Sequence, residues 1–136
     1  MIPDAARDEL IDRALKGFWG RAKVSKDRYA EPASEQERNT VPVSKRVAYR
    51  IIDAGEVSGL ADWCGANWQS HFLSLTRAAR SKGFSDNQVA FVSVLHGAAQ
   101  GSIASALRKG RACTDADRVK VENLMRESTQ QGLEGT

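Results

Sequence analysis

Hydrophobic positions recur at helical spacing along most of the 136-residue chain. Residues 4–22 carry Leu10, Ile11, Ala14, Leu15, Phe18 and Ala22 in the i, i+3/i+4 rhythm of an amphipathic helix. Pro3 precedes that stretch, and Asp4, Asp8 and Glu9 occupy its first turns, where carboxylates complement the helix dipole. Periodicity lapses over 25–43, where two prolines and few large apolar residues predict a long polar surface loop. Ser44 reads as the N-cap of a short helix with Val47, Ala48, Ile51 and Ile52 on one stripe, stopped by Gly55. Ser58 then caps a further helix, in which Leu60, Cys64, Trp68, Phe72, Leu75 and Ala79 repeat at intervals of four and three until Gly83 ends it. Ser85 with Gln88 three residues later makes a capping box for a helix that starts at Asp86. A last helix follows Thr114 and turns Val121, Leu124 and Met125 inward, and the tail 128–136 is expected to fray. No strand pattern emerges. The prediction is an all-α fold, a compact bundle of five to six helices in one domain spanning 1–136.

Composition narrows the class. Hydrophobic residues make up 41% and charged residues 27%, which is globular and too apolar for a disordered chain. No run of about 18 apolar residues suggests a membrane span, and the polar, acidic start MIPDAARDEL does not read as a secretory signal. Cys64 and Cys113 stand without CxxC spacing or clustered histidines, so they read as reduced thiols in a cytoplasmic protein. Cys64 and His71 are seven apart, two helical turns, too far to meet as a nucleophile and its base. With two histidines in all, no metal-ligand spacing, no glycine-rich phosphate loop and no GxSxG, neither a catalytic residue nor a metal or cofactor is expected.

The net charge of +3 is concentrated in clusters: Lys16 to Arg28, then Lys45, Arg46 and Arg50, then Arg77, Arg80 and Lys82, and last Arg108, Lys109 and Arg111. Such clusters either neutralise phosphates or solvate helix ends, and only the fold decides which.

Residues 86–127 offer the most specific motif. Ser93, Gly97 and Ile103 supply what a helix-turn-helix needs: a small residue four before the turn, a glycine at the turn, and a branched apolar residue six later. From His96 to Glu127 the segment resembles the DNA-binding headpiece of lac-repressor-type transcription factors. Gly97 matches the turn glycine, Ile103 the buried valine and Cys113-Thr114 the apolar-then-capping pair, while Arg118, Lys120, Val121, Glu122 and Met125 match the third helix. The resemblance implies a helix-turn-helix subdomain over 86–127, with Gln100, Gly101 and Ser105 at base edges and Ser102 and Arg108 at phosphates, joined by Lys109, Arg111 and Arg118. It also implies duplex DNA as partner. Ala99 departs from the family's Ser or Thr N-cap, and no Arg or Lys stands between Ala98 and Leu107. The competing reading makes HGAAQGSIASAL one continuous helix, whose small residues let a neighbouring helix pack closely.

Two functions follow. One is a small DNA-binding regulator whose residues 1–82 form a dimerisation or partner module, with Trp63, Trp68 and Phe72 as its apolar seam and a homodimer matching paired half-sites. The other is a non-catalytic protein-interaction or inhibitor protein that acts on a nucleic-acid-processing complex.

Overall fold

Helix starts in this chain are written locally, and the structure uses them. In the computed structural model, which describes residues 2–136, the elements run α1 (Asp4–Lys16), β1 (Lys23–Ser25), β2 (Arg28–Tyr29), α2 (Glu35–Arg38), α3 (Lys45–Trp63), α4 (Trp68–Ser81), α5 (Asp86–Gly110) and α6 (Asp115–Gln131). Ser44 caps α3 through the Val47 amide, and Ser85 and Thr114 each complete a capping box, with Gln88 and Asp117 as the reciprocal partners. The all-α bundle predicted from periodicity is therefore the fold, apart from one small hairpin.

That hairpin and the four-residue α2, capped by Ser34, are a correction to the expected polar loop over 25–43. Within 23–29 the chain turns at Lys26-Asp27 and pairs Lys23 with Tyr29 and Ser25 with Arg28, antiparallel. Three-residue and two-residue strands are too short to leave a period-two pattern in sequence. Ala30 beside them is fully buried, which ties the hairpin to the core.

A second correction concerns Gly55 and Ser58. Neither marks a boundary, because α3 runs unbroken through both. A β-carbon at Gly55 would lie 2.6 Å from the Ala99 β-carbon and 2.8 Å from the His96 carbonyl oxygen; at Gly59 it would lie 2.8 Å from the Gln100 carbonyl oxygen. The glycines are there so that α3 and α5 can touch along their backbones, running side by side in the same direction. The true break comes at 64–67, where Gly65 takes φ 70° and Asn67 caps α4 through the Ser70 amide.

The turn expected at His96-Gly97-Ala98-Ala99 is not formed. α5 is one helix of 25 residues, so the resemblance to a helix-turn-helix does not extend to its geometry. His96 and Ala99 point into the bundle, and burial of that face against α3 outweighs the helix cost of two internal glycines. By length and composition α5 could also cross a membrane; half of that apolar stretch is buried inside the bundle, where it is the central helix.

The core gathers around Phe18, Ile51, Ile52, Phe91, Val92 and Leu95, with Phe18 edge-on to Phe91 at 5.3 Å between ring centres. The tail does not fray as expected. α6 continues to Gln131 and Leu133 beyond it is 2% exposed, filling the core from the C-terminal turn. Cys64 and Cys113 are not free thiols: they form a disulfide with their α-carbons 5.2 Å apart. Cys64 closes α3 and Cys113 lies just before α6, and the parallel course of α3 and α5 brings those two ends together.

Candidate functional site

Two features stand out once the helices are in place: a polar chain through the bundle and a groove on its surface.

The polar chain is assembled from four helices. Ser58 on α3, where the sequence suggested a cap, instead points inward and lies 2.7 Å from His71 Nδ1 on α4 and 2.7 Å from His96 Nε2 on α5. His71 Nε2 is in turn 2.7 Å from Ser128 Oγ on α6. Arg50 on α3 completes it, donating to Ser128 Oγ at 2.8 Å, to the Ser128 carbonyl at 2.9 Å and, through Nε, to the Gly132 carbonyl at 2.7 Å. All five side chains are buried, and Ser58 has no exposed surface at all. Burial, with the Arg50 charge adding to it, pushes the His71 ring down to about 4, and burial beside His71 does the same for His96. Both rings are neutral at pH 7. A serine between two imidazoles is the chemistry of an activated hydroxyl, but here the hydroxyl is enclosed and both its neighbours are committed to it. What the arrangement does is bind α3, α4, α5 and α6 to one another.

The groove lies between α1 and α5 and encloses about 520 Å³. It is lined by Ala14 of α1 and by Val94, Gly97, Ala98, Gly101, Ser102 and Ser105 of α5, with Arg13 beside them. A β-carbon added at Gly97 or Gly101 would meet nothing within 4 Å, the opposite of Gly55 and Gly59. Arg13 is exposed and makes no ion pair among the described residues, and it is the one charged side chain lining the groove.

The residues proposed from sequence to read DNA are not brought onto one face. Gln100 is buried against α3, close to Gly55 and Gly59, and cannot reach a base. Ser102 and Ser105 open on the groove. Arg108 turns toward α3 and pairs with Asp62 at 2.8 Å. Arg111 stacks over the Trp63 ring at 5.0 Å and pairs with Asp117, whose carboxyl that hydrogen bond, joined by the Thr114 amide, holds well below the usual range. Lys109 and Arg118 are exposed on different helices.

The apolar seam expected from Trp63, Trp68 and Phe72 is half-buried within the chain. Trp63 and Trp68 pack around the disulfide with Ala61 and Val121, Trp63 donating its indole N–H to the Arg111 carbonyl at 2.8 Å, and Phe72 stacks at 4.9 Å on the His96 ring. Among the described residues no group of three or more His, Cys, Asp or Glu side chains could hold a metal ion.

Sequence reading missed the polar chain. Its signal was present: Ser58, His71 and His96 all fall on faces otherwise occupied by apolar residues, where a polar side chain must find a buried partner. Comparison with protein-family models, curated proteins and solved structures found no match to this chain.

Proposed function

We propose that the chain is a non-catalytic protein-interaction domain of the adaptor or inhibitor type, which takes a helix of its partner into the α1–α5 groove. The observation that carries this is the outward placement of Gly97 and Gly101. Each costs the central helix about 1 kcal/mol relative to alanine. Gly55 and Gly59 carry the same cost and are needed by α5, whereas nothing in the chain needs Gly97 or Gly101. At those two positions the floor carries no side chain, which lets another backbone approach closely there. The lone cation Arg13 on the wall favours a partner segment with a carboxylate opposite it. The Cys64–Cys113 bridge fits an oxidising compartment better than the cytoplasm that free thiols would suggest.

The test has two arms. Gly97→Ala and Gly101→Ala each raise stability, by up to about 1 kcal/mol in denaturant titration, because the added methyl meets no neighbour. Gly101→Leu leaves folding intact but removes the adduct that a photo-crosslinking residue at position 105 makes with a partner in cells, and mass spectrometry locates that adduct on an acidic helical segment. An adduct unchanged by Gly101→Leu overturns the reading. So does sequence-selective binding of duplex DNA in titrations at two salt concentrations that Lys109→Ala and Arg118→Ala abolish, since that result restores the DNA-binding function.

A further inference from the structure

α6 is held to the bundle in an unusual way. Only two of its residues are fully buried, Val121 and Ser128, and the second is polar. Its N-terminal end is tied to α3 by Cys64–Cys113, and its C-terminal turn by Leu133 and by the three hydrogen bonds of Arg50. The grip on its C-terminal half is therefore mostly polar, and it has a direction. A guanidinium can only donate, so Ser128 Oγ accepts from Arg50. Of the two partners of Ser128 Oγ, Arg50 and His71, only His71 Nε2 can accept, so the single Ser128 proton goes there. A neutral ring that accepts at Nε2 carries its proton on Nδ1, so His71 donates to Ser58, and Ser58 donates to His96 Nε2. Each hydroxyl proton is used once and all run the same way, from Arg50 to His96.

We infer that this chain is an acid-released latch: a proton taken up at His71 Nε2 reverses the link to Ser128 and frees the C-terminal half of α6 from the α3–α4 face, while Cys64–Cys113 keeps its other end attached. An imidazolium donates from both nitrogens. Ser128 Oγ would then face donors from both Arg50 and His71, and its own proton would lose its acceptor. The new cation would also lie one hydroxyl away from the Arg50 guanidinium. The groups that face His71 offer it no compensation: Arg50 and Ser58 from α3, His96 from α5 and Ser128 from α6, with the nearest charge, Arg50, positive. Asp53 acts on Arg50 and is itself paired with Arg7. His96 is faced by Ser58, His71 and the Phe72 ring, and is no better placed for a charge. Burial and these neighbours keep the latched rings near 4, whereas a released ring titrates near 6.5, so acid favours release across that interval.

Hydrogen exchange followed by mass spectrometry on the oxidised full chain, corrected for intrinsic rates, tests the latch. Between pH 6.5 and pH 4.5, protection in residues 121–133 falls by about tenfold per pH unit, the linkage of one proton, while α3 and α5 keep theirs. His71→Gln keeps a neutral polar group and removes that pH dependence. Should the variant fold poorly, nitrogen-15 NMR of the wild-type imidazoles decides: at pH 7 His71 is protonated on Nδ1 and bare on Nε2. The opposite tautomer, or loss of protection in α6 and α5 together at every pH, overturns the latch.

Discussion

Gly55, Gly59, Gly97 and Gly101 occupy the same Gly-x-x-x-Gly spacing on neighbouring helices, yet they respond oppositely to a methyl group. At Gly97 and Gly101 it enters open space. At Gly55 it would sit 2.6 Å from the Ala99 β-carbon and 2.8 Å from the His96 carbonyl, so α3 and α5 must part. Overpacking of that kind costs typically 1–3 kcal/mol and outweighs the gain of about 1 kcal/mol from helix propensity. Gly55→Ala therefore lowers the denaturant midpoint, while Gly97→Ala raises it. A drop at both positions would mean that the outer face of α5 is not free. Nothing local separates the two pairs, since G-E-V-S-G and G-A-A-Q-G both read as helix breakers. That is why the sequence alone predicts a stop at Gly55 and a turn at Gly97: propensity counts the cost of a glycine and cannot see the helix across from it. Ser58 reads as a cap for the same reason, although its hydroxyl is the centre of a buried chain.

Elements with their own boundary chemistry were legible, and elements defined by a distant partner were not. The capping box at Ser85 needs only four residues, and Thr114 marks the start of the last helix; both helices begin where those residues put them. The all-helical class likewise followed from periodicity alone. By contrast, the C-terminal turn is ordered because Leu133 reaches the core and Gly132 receives Arg50, contacts from residues some 80 positions away in the case of Arg50. The Cys64–Cys113 bridge belongs to the same class: its partners are 49 residues apart, and only the packing of α3 on α5 brings them together. The bridge closes a loop containing all of α4 and α5, and loop entropy gives it a stabilisation of about 4 kcal/mol. Reduction, or Cys64→Ser with Cys113→Ser, should lower the unfolding free energy by an amount of that order. The denaturant slope should rise at the same time, because the unfolded chain is released to expand. A midpoint and slope indifferent to reductant would show that the bridge does not form in solution.

At the scale of the whole molecule, the polar chain makes the bundle's stability depend on pH in a definite direction. His71 and His96 bind a proton near 6.5 when the chain is unfolded and near 4 when it is folded. Between those values the unfolded chain holds more protons, so stability rises with pH. The full contribution is present above about 6.5 and is lost as pH falls toward 4. Asp117, held low by Arg111 and Thr114, acts in the same sense in a lower window: its contribution is present above the ordinary carboxylate range and fades as pH falls below 3.8. The two windows are separable by experiment. Urea midpoints should decline from pH 7.5 to pH 4.5 in the wild type, and His96→Gln, which removes one of the two titrating rings, should shallow that decline without touching the further loss below pH 4. Asp117→Asn should do the reverse, flattening only the lower limb. A wild-type midpoint that is level from pH 7.5 to pH 4.5 would mean that the two imidazoles are not enclosed as a pair. The α1–α5 groove is set apart from that response, because the titrating chain ties α6 to α3 and α4 and reaches α5 only through His96. An acid response confined to α6 would leave that groove standing, and only the loss of the whole bundle at lower pH would remove both.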